Sequence, residues 1–184
     1  MKKKILALLM ALFSVCTMSA GDGLYVGVGG AYQSIPLFDG TTHNSVAPAV
    51  ELGYNYGYFG FGAVASFAGN MMFAADVHTN LAVTEECAIV LGCGYGAIYR
   101  KTKCPVDDCD YEIKGFIDWP HADLGVDVSL TDNLGLRIIG ALGYGRSRDD
   151  YNHDYYYSDY DSHGYYRGDW RFAAQVRAML VWTF

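Results

Sequence analysis

Residues 170–184 read WRFAAQVRAMLVWTF. Taken in steps of two, Trp170, Phe172, Ala174, Val176, Ala178, Leu180, Trp182 and Phe184 form one apolar face. Arg171, Ala173, Gln175, Arg177, Met179, Val181 and Thr183 form the other, which carries two arginines and a glutamine. A period of two is that of a β-strand, here with a different solvent on each side. The apolar face is about as long as a tilted strand that crosses a bilayer, which needs roughly 9–11 residues.

The same alternation recurs along the chain. Leu24, Val26, Val28, Gly30 and Tyr32 oppose Tyr25, Gly27, Gly29, Ala31 and Gln33. Comparable segments run over 46–56, 59–67, 73–83, 87–100, 120–130 and 134–144, so the terminal stretch is the eighth. The residues opposite the apolar faces are rich in glycine and poor in lysine, as a narrow barrel lumen requires. Aromatics gather toward the ends of the apolar faces. Tyr54, Tyr56, Phe59, Trp182 and Phe184 lie at one end, and Tyr32, Phe67, Tyr95, Tyr99, Tyr144 and Trp170 at the other. Two aromatic girdles mark the interfaces of a membrane barrel, whereas a soluble sandwich buries its apolar face and wets the other.

The connections fit a barrel. Tight turns are expected at Gly57-Tyr58, Thr84-Glu85-Glu86 and Thr131-Asp132-Asn133, with long loops at 34–45, 101–115 and 146–169. Only the link near Gly69-Asn70 breaks the rule of short periplasmic turns and long outer loops. The expectation is an all-β, eight-stranded, antiparallel, up-and-down transmembrane barrel.

The N-terminus, MKKKILALLMALFSVCTMSA, has a basic start, an apolar run from Ile5 to Cys16 and small residues at Thr17, Ser19 and Ala20. It reads as a signal peptide over 1–20, leaving a barrel domain over 21–184. The mature chain then carries ten basic and twenty acidic side chains, a net charge of −10, which argues against a nucleic-acid partner. No apolar run long enough for a transmembrane helix remains.

The opening GLYVGVGGAYQ at 23–33, the eight alternating segments and the aromatic terminal strand together resemble the small eight-stranded outer-membrane barrels, the OmpA-like, opacity-protein-like and OmpW-like group. The resemblance covers the whole mature chain. It implies a monomer in the outer-membrane bilayer. It also implies that Phe184 and Trp182 form the assembly signal read by the barrel-insertion machinery. No peptidoglycan-binding segment follows the barrel, so that family role is not carried over.

The expected lumen charges are Glu51, Asp76, Asp123, Asp127, Arg100, Arg137, Arg171 and Arg177, joined by His78 and His121. Leu130 and Leu134 share a face, so the turn between them holds an odd number of residues. A three-residue turn sets Asp127 opposite Arg137. The same arithmetic at the preceding turn sets Gly94 opposite Asp76 and Gly92 opposite His78. Such a lumen is either a charged pore or a salt-bridged plug, since eight strands leave a space that side chains can fill.

No catalytic constellation is legible: Ser162 and His163 are adjacent and would point apart in a strand. No cofactor is expected. The segment 146–169 carries six aspartates with His153 and His163, either a solvated acidic loop or a Ca²⁺ site without EF-hand spacing. Its tyrosines, Tyr155, Tyr156, Tyr157, Tyr160, Tyr165 and Tyr166 among them, suit a recognition surface for a host or cell-surface ligand, or else belong to a disordered acidic fringe. Cys87 and Cys93 are too far apart along one strand to bridge and read as membrane-facing. Cys104 and Cys109 bracket a proline turn, where a secreted chain permits a disulfide; two reduced thiols are the alternative. The work expected of such a protein is structural or adhesin-like, through its outer loops. Passage of small or apolar solutes is the alternative.

Overall fold

The computed structural model describes residues 22–36, 42–103, 112–147 and 171–184. They form eight strands: β1 Gly23–Pro36, β2 Thr42–Tyr56, β3 Phe59–Phe67, β4 Met71–Ala82, β5 Cys87–Lys103, β6 Glu112–Ser129, β7 Leu134–Ser147 and β8 Arg171–Thr183. Each strand pairs antiparallel with its sequence neighbours, and β8 pairs with β1 from Tyr25↔Thr183 to Ser34↔Ala174, closing the barrel. Closure leaves no open edge, so every backbone donor and acceptor in the wall can be met by a neighbouring strand.

Burial alternates over most of each strand's middle. Its sense is the reverse of a water-soluble domain. Arg137 and Arg177 are 0% exposed, while Val46 is 78% and Leu124 63% exposed. Charges inside and a continuous apolar exterior make the outer surface a membrane-facing one. Tyr54, Tyr56, Phe59, Trp182 and Phe184 stand exposed around one end. Toward the other end, Phe67 packs edge-on against Phe73, while Tyr99 lies tilted against Phe116 and Tyr144 against Phe172, each pair bridging adjacent strands. Cys87 and Cys93 lie on this outward face as free thiols.

The turns at the first end are tight for local reasons. Gly57, with φ at +56°, turns β2 into β3 in a conformation that other residues resist, and its N–H donates to Asp22 Oδ1 at 2.6 Å. Leu130 N–H donates to Leu134 O at 2.8 Å, and Thr131 Oγ1 accepts from Leu134 N at 3.1 Å, which makes 131–133 the three-residue turn. Val83 N–H does the same to Cys87 O at 2.8 Å. The chain end is clasped on both sides: Thr183 N–H donates to Asn133 O at 3.0 Å and Phe184 N–H to Leu24 O at 2.9 Å.

At the opposite end the strands run further than the sequence suggests. Pro36 pairs with Thr42, so the expected loop 34–45 shrinks to 37–41. Lys103 pairs with Glu112, so 101–115 shrinks to 104–111. The expected start of β6 at Pro120 is also corrected. The strand begins eight residues earlier, at Glu112, and carries Pro120 in its interior. Pro120 has no N–H to donate. Its pairing with β5 is unbroken, Tyr95↔Pro120, whereas pairing with β7 steps from Asp118↔Arg146 to His121↔Gly143. The ladder is interrupted on one side only, which is why the proline is tolerated. The extensions lie beyond the apolar belt, where hydropathy no longer alternates and only hairpin pairing carries the strand onward.

Candidate functional site

The inward faces of all eight strands fill the lumen in two layers. The layer nearer the long connections is mostly apolar: Ile35, Val64, Met72, Ala74, Ile98, Ile117, Trp119, Ala141 and Ala173 form one buried cluster. The Trp119 indole N–H donates to Ala173 O at 3.2 Å, tying β6 to β8 across the interior. A few polar side chains are threaded into this layer, tied to it by single donors. Gln33 and Gln175 both donate to Ser66 Oγ, the latter at 3.0 Å, and Arg100 donates to Pro36 O at 2.9 Å.

The layer nearer the tight turns is charged. β6 and β7 set Asp127 opposite Arg137, whose Nε and Nη2 donate to Asp127 Oδ2 at 3.1 and 2.7 Å. Arg137 Nη1 reaches across the lumen to Glu51 Oε1 at 2.9 Å, and its guanidinium lies 4.5 Å over the Tyr25 ring. Tyr25 Oη donates to the same Glu51 oxygen at 3.0 Å. Arg177 is held between two acids, with Nε 3.4 Å from Glu51 Oε2 and Nη2 3.1 Å from Asp76 Oδ2. Asp76 Oδ1 lies 3.1 Å from His78 Nδ1, and His78 Nε2 is 3.3 Å from Asn55 Oδ1. His121 Nε2 lies 3.7 Å from Asp123 Oδ2. The ring of His121 stacks on Trp119 with centroids 4.2 Å apart.

Glycine makes the room. A Cβ at Gly53 would run into the tip of the Tyr25 ring, and one at Gly94 would lie 2.5 Å from His121 Nε2. β5 places Gly94 opposite Asp76 and Gly92 opposite His78, so the bulky polar groups of β4 rise into the space that β5 leaves.

The expected lumen residues Glu51, Asp76, His78, Asp127, Arg137 and Arg177 thus meet in one connected network, and Asp123 with His121 stands beside it. Arg171 shares their face but is half-buried at the far end of β8, opposite Gly145. Trp182 and Phe184 point outward. Cys104, Cys109, Ser162, His163, the acidic stretch 148–170 and its tyrosines Tyr155, Tyr156, Tyr157, Tyr160, Tyr165 and Tyr166 lie outside the described residues. Tyr25, Asn55 and Trp119 are buried members of the lumen that charge alone does not flag. Parity places Tyr25 and Asn55 inside; their partners come from strands far apart in sequence.

Four buried carboxylates, Glu51, Asp76, Asp123 and Asp127, share this layer with two guanidiniums, Arg137 and Arg177. Both oxygens of Asp123 and Nε2 of His121 are buried without a hydrogen-bond partner. Asp76, His121 and Asp123 each offer a donor atom within 4.8 Å of the others.

No family model and no curated protein matches the sequence. The fold, by contrast, matches solved structures. The crystal structure of Neisserial surface protein A superposes with a TM-score of 0.62 at 11% identity, over 88% of this chain and 97% of that one. The N-terminal β-barrel domain of Pseudomonas aeruginosa OprF gives 0.54 at 9% identity, over 88% of this chain and all of that one. Identity this low carries the fold alone, and with the apolar exterior and the filled lumen the conclusion is direct: this chain has the fold of the eight-stranded outer-membrane β-barrels.

Proposed function

We propose that the protein is a non-conducting outer-membrane barrel that works at the cell surface through the segments joining β1 to β2, β5 to β6 and β7 to β8. The observation that carries this is the filled lumen. Arg137 and Arg177 are fully buried in ion pairs, and an apolar layer built on Ile35, Ile98, Ile117 and Trp119 occupies the outer half. Moving an ion past both layers would require breaking buried charge pairs, each costing about 3–5 kcal/mol when one partner is lost. A barrel that passes nothing has its outer loops left to act with. In this reading residues 1–20 direct export and are removed. The terminal strand with Trp182 and Phe184 is recognised by the assembly machinery, and Tyr155, Tyr156, Tyr157, Tyr160, Tyr165 and Tyr166 contact a host or cell-surface ligand. Tyrosine supplies large contact area at low entropic cost, and the aspartates favour a basic partner.

A second reading, passage of apolar molecules sideways through the wall, is favoured by the one-sided interruption of pairing at Trp119–Pro120. Trp119 stands behind that interruption and is anchored to β8, which opposes it. Two experiments test the choice. Planar-bilayer recordings should show no discrete, stable openings; their presence refutes the plugged barrel. Cutting the chain between Arg146 and Asp169 to a short Gly-Asn turn should leave a folded barrel with reduced, salt-sensitive adhesion to cell-surface protein. Undiminished adhesion of the shortened protein refutes the loop as the recognition surface.

A further inference from the structure

We propose that Asp76, His121 and Asp123 form a binding site for one divalent metal ion of the Zn²⁺ class inside the barrel lumen. The three side chains come from β4 and β6, are all buried, and bring one donor atom each within 4.8 Å of one another. Tetrahedral donors at about 2.0–2.1 Å from zinc stand roughly 3.4 Å apart, so small rotamer adjustments complete the set.

The hydrogen bonds around the site prepare it for a cation. His121 Nδ1 lies 3.2 Å from Trp119 O, and a carbonyl can only accept, so Nδ1 carries the proton. In the neutral ring Nε2 is then a lone pair, and it faces the Asp123 carboxylate, whose oxygens are acceptors when ionised. Neither Nε2 nor either Asp123 oxygen has a hydrogen-bond donor. Acceptors facing one another in a buried site repel unless a positive ion sits between them. A ligating histidine that donates its other ring N–H to a backbone carbonyl is the usual outer-shell arrangement of metal sites, because it sets the tautomer and the ring plane. Trp119 stacks on that ring and holds it. Asp76 is oriented in the same way, by His78 on one oxygen and Arg177 on the other, and each oxygen keeps a lone pair to spare.

Charge points the same way. With His78 and His121 counted as neutral, the four carboxylates of this layer exceed its two guanidiniums by two negative charges among the described residues. One divalent ion balances them. A single proton shared between His121 and Asp123 meets only half of the excess. Imidazole nitrogen with carboxylate oxygen suits Zn²⁺ and its Co²⁺ substitute better than the all-oxygen shell preferred by Ca²⁺ or Mg²⁺.

The full-length protein, folded in detergent micelles and stripped with chelator, is dialysed against Zn²⁺ or Co²⁺ alone and its metal content measured. About one equivalent per barrel is expected. Co²⁺ should quench the buried, blue-shifted tryptophan emission, because Trp119 lies against the ligating ring. Zn²⁺ at a hundredfold excess over its Kd should raise the folding equilibrium constant about a hundredfold. His121→Gln and Asp123→Asn should abolish retention, while the His153→Gln/His163→Gln double variant keeps it. The proposal is overturned if the wild type retains no metal, if either lumen variant retains it unchanged, or if the loop variant loses it. Should the lumen variants fail to fold, absence of tryptophan quenching in the wild type at saturating Co²⁺ overturns it as well.

Discussion

Replacing Asp127 with alanine removes the acceptor of two Arg137 donors, at 3.1 and 2.7 Å. Arg137 stays charged, because a guanidinium does not give up its proton. Two considerations set the size of the effect. Removing one partner of a buried pair costs about 3–5 kcal/mol when the remaining charge is stranded. Arg137 is not wholly stranded, since Glu51 still accepts from Nη1 at 2.9 Å and the Tyr25 ring still lies under the guanidinium. Asp127 is also the least enclosed of the four acids and stands near the tight turn, so water can reach the gap. The expected loss therefore falls around and below the low end of that range, at about 2–4 kcal/mol. Arg137→Leu should cost more, because it strands both Asp127 and part of Glu51. The double variant should cost less than the sum of the two by about 2 kcal/mol, within the roughly 0.5–3 kcal/mol coupling of residues in direct contact. Urea unfolding of the barrel in lipid vesicles, followed by tryptophan fluorescence and by heat-modifiable gel mobility, reads all four corners of the cycle. Losses that add to within about 0.5 kcal/mol would mean that the pair is not coupled, and the network would fail at its best-defined link.

Phe184→Asp should leave little protein in the outer membrane, yet the purified variant should refold in detergent with the parental gel shift. The Phe184 side chain is 73% exposed, and its hold on Leu24 is through the backbone N–H. Normal accumulation of the variant in the outer membrane would refute the assembly-signal reading. Gly53→Ala should destabilise by about 1–3 kcal/mol, the usual range for overpacking, because the new methyl meets both Tyr25 and the Phe61 carbonyl. A urea midpoint equal to the parent's would mean that Tyr25 does not occupy the space above Gly53.

Much of this barrel is legible along the chain because the governing physics is local. Side chains in a strand alternate with a period of two, so hydropathy alone assigns Glu51, Asp76, His78, Asp123, Arg137 and Arg177 to one face. A tight hairpin fixes register over its own two strands, so counting through 131–133 is enough to set Asp127 against Arg137 and, one hairpin earlier, Asp76 against Gly94. The strand ends are less legible. Beyond the apolar belt the alternation fades, and pairing alone carries β6 back through Pro120 to Glu112. What only the closed tertiary structure decides is which inward side chains meet across the lumen. Arg137 reaches Glu51 from 86 residues away, Arg177 reaches Asp76 from 101 and Gln175 reaches Ser66 from 109. Those contacts depend on barrel closure and on the stagger accumulated over all eight strands, a sum to which every hairpin contributes and which no single segment contains.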